Sequence, residues 1–225
     1  METLRALLLN IQKNIVMRRV GITRLFWVAE ALLVLVFVYT FMQVSQDYSA
    51  VALFLAEWGG RLGVIATIAY VLTLLPGCIT RLQWWPHYTQ PIAGMLLPFR
   101  RHLGILMFLL VYLHMQFTTF FPQLAGNNFD PSKIQLMLFQ QLGYAAWLLL
   151  LPLWLTSNDF SQRKLGTWWK RLHRLTYVVL FLSFMHTALI QASWMYLLGA
   201  VGILELLSWI IYWRRSRVLV AAPVA

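Results

Sequence analysis

Charge is what this 225-residue sequence has least of. Only 11% of its residues are Asp, Glu, Lys or Arg, and seven are acidic. A soluble domain carries about 25% charge, so an ordinary globular protein is excluded. The single cysteine, Cys78, excludes an intrachain disulfide and any zinc or iron–sulfur cluster built from this chain's own thiols. A small apolar space-filler is its expected role. No Gly-x-Gly-x-x-Gly follows a strand pattern, so no dinucleotide-binding fold is expected. There is no internal repeat and no low-complexity tract.

What the chain does have is apolar length: 60% of its residues are hydrophobic. A membrane-crossing helix needs about 20 predominantly apolar residues. Six stretches qualify, near 24–43, 62–78, 103–121, 135–155, 174–191 and 195–213. The expected fold is all-α: a polytopic six-helix bundle (23–213) after an N-terminal amphipathic and basic segment (1–22) and before a tail (214–225). The net charge of +11 follows topology rather than nucleic acid. With the N-terminus inside, sixteen of the eighteen basic residues fall on one side and only Arg61 and Lys133 on the other. The positive-inside rule then places both termini in the cytoplasm. The N-terminus shows no small-residue cleavage site, so the first span is expected to be retained as an anchor.

Leu4, Leu7, Leu8, Ile11 and Ile15 share one face of a helical projection, predicting a short helix on the membrane surface or against a partner. Trp84, Trp85, Trp168 and Trp169 read as interfacial anchors. Residues 79–101, with three prolines, read as a loop or re-entrant stretch with room for one short helix. In the 122–134 connection, Asp130 or Ser132 is the expected cap of the fourth span.

Of the five histidines, His87 lies in a loop and reads as a surface residue. The others form two pairs: His102 and His114 on the third span, His173 and His186 on the fifth. An ionisable group inside the bilayer is costly and marks a functional site; a lone one also serves as an interhelical hydrogen bond. Facing imidazoles fill both axial positions of a haem iron and leave none open, which suits electron transfer. Spacings of 12 and 13 residues separate the levels by about 18–20 Å, one haem per leaflet. They rotate the side chains by about +120° and −140°, so straight parallel helices would grip one haem in front of their plane and one behind.

Three segments resemble the ferric-reductase-like transmembrane superfamily: Gly60-Arg61-Leu62-Gly63; Arg100-Arg101-His102-Leu103-Gly104 running to Leu113-His114; and Thr156-Ser157-Asn158-Asp159 through Arg163-Lys164-Leu165-Gly166 and Arg171-Leu172-His173-Arg174 to His186. The last is similar to the haem-binding membrane subunit of bacterial periplasmic methionine sulfoxide reductase systems. The resemblance covers about residues 55–190. It implies a cytochrome of the bacterial inner membrane with one or two haems b, a flavin (FMN or FAD) at the cytoplasmic face and a periplasmic electron acceptor. By the matches, His114, His173 and His186 correspond to that subunit's histidines. His102 departs from that subfamily, whereas branches with NADPH-oxidase and ferric-reductase activity use four histidines. Electrons are then expected from a separate flavoprotein or from quinol.

Arg61, almost alone at the outer side, is a candidate partner for the propionates of an outer haem, against a plain interfacial role. Arg101 and Arg174, with Arg100 and Lys170, are placed to do the same at the inner level. Glu30 and Glu205 lie inside spans, either paired with nearby basic residues or serving a proton or quinone site. Two other functions remain open: a quinol-oxidising cytochrome b subunit of another oxidoreductase, and a non-haem transporter or assembly protein with metal-binding histidines. No complete catalytic site for substrate chemistry is expected in this chain.

Overall fold

The computed structural model describes residues 2–221, so residues 222–225 of the expected tail lie outside the described residues. Helix α1 (Glu2–Met17) precedes α2 (Arg19–Gln46) and α3 (Ser49–Leu82). Then follow α4 (Pro86–Leu96), α5 (Arg100–Met115), α6 (Phe121–Gly126) and α7 (Leu138–Leu155). Short α8 (Asp159–Leu165) and α9 (Thr167–Leu172) lead into α10 (Leu175–Leu189) and α11 (Trp194–Ala221). Among the described residues there is no strand, and six helical segments are long and apolar enough to cross a membrane.

Two helix pairs organise the bundle. α3 packs most extensively on α5, and α7 on α10. The α3–α5 seam buries Leu55, Leu62, Leu113 and Phe117. Around α7 and α10 the core is built from Phe108, Ala146, Leu150, Val179 and Leu180. The end of α11 comes back beside the end of α3, where Arg215 Nη1 donates to Gln83 Oε1 at 2.8 Å. This end, rich in Arg and Lys, is called the basic end; the other is the distal end.

Several local expectations change. The 79–101 stretch is mostly helix, broken only where Gln83 (φ 52°) and Trp85 (φ 43°) enter the left-handed region. On α1 the half-buried face is Leu8, Gln12 and Ile15, which turns toward α4, while Leu4, Leu7 and Ile11 stay exposed. Asp130 does not cap α7. Its carboxylate accepts from the Ser132 N–H (3.0 Å) and starts a 3-10 turn at Pro131–Lys133. An extended stretch after that turn carries the chain away, held to α6 by reciprocal Gln123–Gln135 bonds of 2.9 and 2.8 Å. α7 is capped instead by Gln140, whose Oε1 accepts from the Met137 N–H at 2.8 Å. Finally, α9 ends at Leu172 and α10 begins at Leu175. His173 and His186 are therefore not on one straight helix, and the 13-step rotation does not apply to them.

A candidate bis-imidazole site

His114 and His186 meet at the distal half of the bundle, ring centroids 6.3 Å apart and ring planes at 85°. Each is held in the same way. His114 Nδ1 lies 2.7 Å from the Gly59 carbonyl, and His186 Nδ1 lies 2.7 Å from the Phe139 carbonyl. A carbonyl only accepts, so each Nδ1 carries the hydrogen and each Nε2 keeps a free lone pair. One helical turn on from each carbonyl is a glycine that makes room for the ring. A Cβ at Gly63 would lie 3.0 Å from the His114 ring, and one at Gly143 would lie 3.0 Å from the His186 ring. Thus α3 seats the histidine of α5, and α7 seats that of α10.

Both rings line a cavity of about 450 Å³ whose other walls are mainly apolar, among them Val64, Val111 and Val179. This volume lies in the range of small-molecule and cofactor sites. A metal–imidazole bond of about 2 Å on each side, with the half-widths of the two rings added, matches the observed centroid separation. Among the described residues no third His, Cys, Asp or Glu joins them to hold a metal ion. A metal bound here has to bring its own remaining ligands, as a porphyrin iron does.

The other expected pair is not brought together. His102 turns toward α2, where its Nδ1 lies 3.1 Å from Glu30 Oε1 and its ring stacks on Phe26 at 5.6 Å. His173 sits at the break between α9 and α10, with Nε2 3.1 Å from Thr156 Oγ1 and its ring stacked on Trp169 at 4.0 Å. The reason is the face of α5 that carries His102, which packs against α2 and finds a carboxylate there.

His173 instead borders a second cavity, about 460 Å³, at the basic end. Arg81, Arg100, Arg101, Lys170 and Arg174 line it together with the aromatic rings of Trp154 and Trp169. Arg101 is tied to Asp159, whose carboxyl that guanidinium holds below the usual carboxylate range. Arg81 pairs with the buried Glu205, donates through Nε to Ser208 Oγ at 2.9 Å and stacks over Trp209 at 4.7 Å. Tyr70, Met107 and Leu150 line both cavities, so one layer of side chains separates them.

Arg61 is not in either lining. It pairs with Glu57 at 2.9 Å, lies over Trp58 at 5.3 Å and is more than half exposed. Sequence reasoning missed the supports, the Gly59 and Phe139 carbonyls and Gly143; the basic partner it offered for Glu205 is Arg81. A glycine inside an apolar helix is the only local sign of the glycine supports, and it does not say which ring fills the space.

A membrane-embedded helical bundle with two cavities and an apposed pair of imidazoles is the class that fold and site define. Residues 62–184, more than half of the chain, match the model of the ferric reductase like transmembrane component family, and the chain belongs to that family. Among curated proteins it is similar to the protein-methionine-sulfoxide reductase heme-binding subunit MsrQ of Brucella ovis, Brucella canis and Brucella suis. Each is 40% identical over 101 residues, 44% of this chain and 45% of the relative. The matched stretch therefore spans less than half the length of these relatives. No solved structure matches the chain.

Proposed function

We propose that this protein is a b-type cytochrome subunit that passes electrons across a bacterial inner membrane, with one haem b held between His114 and His186. The observation that carries the reading is the paired-imidazole cavity. Two Nε2 atoms are freed by backbone bonds at Nδ1, their ring separation suits one metal between them, and no third protein ligand is at hand among the described residues. Haem iron held by His114 and His186 would supply one-electron chemistry, with both histidines used to hold it rather than substrate. The carbonyls of Gly59 and Phe139 fix tautomer and ring orientation, and the N–H···O bonds raise the donor strength of each Nε2.

By the positive-inside rule the basic end faces the cytoplasm. The cavity there, with cationic side chains and flat aromatic walls, suits an anionic, planar redox donor. FMN, or the flavin of a cytoplasmic flavoprotein, fits that description. The distal end then faces the periplasm and a redox acceptor, and the MsrQ relatives point to a methionine sulfoxide reductase catalytic subunit. The test is a reduced-minus-oxidised spectrum and a pyridine haemochrome assay on the purified protein. A cytochrome b spectrum with one haem per chain is expected, and no Soret absorption after expression with ample haem sinks the reading in favour of a transporter or assembly protein.

A second reading has its own observation. Glu30 and His102 form a mostly buried ionisable pair between α2 and α5, outside both cavities. Such a pair suits proton uptake from a lipid-soluble quinol acting as donor. Glu30→Gln should then slow haem reduction by quinol while leaving reduction by dithionite unchanged.

A further inference from the structure

Among the described residues lining the distal cavity none is Lys or Arg. A haem b brings two carboxylates, and an ionised carboxylate left without partners among apolar helices is costly. Arg61, the cation nearest in sequence, is committed to Glu57 and Trp58 outside the lining.

Most hydroxyls in the cavity wall are already spent. Thr67 donates to the Gly63 carbonyl (2.9 Å), Thr118 to that of His114 (2.7 Å) and Thr187 to that of Ser183 (3.0 Å), each within its own helical run. Tyr70 donates to the Thr176 carbonyl. Tyr144, Ser183 and Thr119 are not spent in this way, and of these it is Thr119 that lies against a second polar side chain. It is 7% exposed and sits in the widened π turn Gln116–Phe120, and its Oγ1 is 3.3 Å from Gln140 Nε2. The amide nitrogen only donates, so Thr119 accepts there and keeps its own hydrogen. Gln140 Oε1 is fixed by the Met137 N–H, which sets the amide with its NH2 toward Thr119 and leaves a second amide hydrogen.

We propose that Gln140 and Thr119 form the carboxylate subsite of the distal cavity, holding a haem propionate by two neutral donors in place of an arginine. The proposal rests on the His114–His186 haem reading. It sets the carboxylate edge of the cofactor toward the N-terminal turn of α7.

The test compares haem-loaded wild type with Gln140→Glu, Thr119→Val and Arg61→Ala. Two quantities are read: the rate of haem transfer to excess apomyoglobin, and the midpoint potential across pH. Gln140→Glu retains the oxygen that caps Met137 but turns a carboxylate toward the propionate. Haem should leave at least about tenfold faster, the scale of one lost charge-assisted hydrogen bond, and the midpoint should fall because added negative charge favours ferric iron. Thr119→Val, close in shape, should move both readouts the same way by less. Arg61→Ala should move neither. If haem is bound but Gln140→Glu matches wild type in both, or if only Arg61→Ala shifts the potential, the subsite is overturned while the axial pair stands. A wild type with no Soret band overturns the axial pair and the subsite together.

Discussion

The ring of His114 stands edge-on to the ring of His186, 72 positions on in the chain, and each is seated on a carbonyl and a glycine of the helix packed beside it. The two halves of the site are built alike: Gly59 and Gly63 on α3 correspond to Phe139 and Gly143 on α7. A bond to the ring nitrogen at one position and a missing side chain one turn on leave each imidazole a single orientation. That is the preorganisation the proposed electron carrier would need, since little would have to move if a bound iron changed charge.

His114→Leu and His186→Leu should each abolish the Soret band, because one imidazole cannot close the site. His102→Leu should keep the full haem content, since its ring is engaged with Glu30 and Phe26. Haem per chain by pyridine haemochrome decides the matter; loss of one of two haems in His102→Leu would restore a second centre.

The glycine supports predict an inversion of the usual helix rule. Gly→Ala inside a helix ordinarily stabilises by up to about 1 kcal/mol, and Gly104, with nothing within 4 Å of a built Cβ, should follow it. Gly63→Ala and Gly143→Ala should instead displace the rings and lower haem occupancy. The ratio of Soret to protein absorption, with the unfolding temperature in detergent, separates the two behaviours.

Glu205 is 3% exposed and pairs with Arg81 on the neighbouring helix. Glu205→Ala leaves the mostly buried Arg81 guanidinium without its carboxylate, a loss of up to about 3–5 kcal/mol. The unfolding temperature should drop sharply, and Arg81→Met in the same chain should recover much of it. An unchanged unfolding temperature in the single variant would mean that Arg81 reaches water unaided.

Orientation is testable in whole cells. With Cys78 replaced by Ala, cysteines introduced at 126–128 should react with an impermeant reagent from outside, and those at 162–164 should not. The reverse pattern would exchange the proposed entry and exit ends.

Hydropathy and length made the six spans legible, because a segment that must satisfy its own backbone in lipid has to be a long apolar helix. The histidines stood out for the same reason: an ionisable side chain is conspicuous where water is absent. Which histidines meet was a different matter. Spacing along straight helices pairs His102 with His173 as readily as His114 with His186. The break at His173–Arg174 and the face of α5 that packs on α2 undo the first pairing. Arg61 fared likewise, since Glu57 one turn away satisfies it locally.

The sequence by itself determined that the chain is a membrane bundle, where its spans run, and that His114 and His186 lie deep within them, because these follow from the local cost of placing polar groups in hydrocarbon. Only the tertiary structure decided that those two rings share one cavity, that Glu30 engages His102, and that Gly143 and Gln140 belong to the site. Those facts depend on which helix faces which, and neighbours across a bundle are set by packing summed over the whole chain rather than by any one segment's residues.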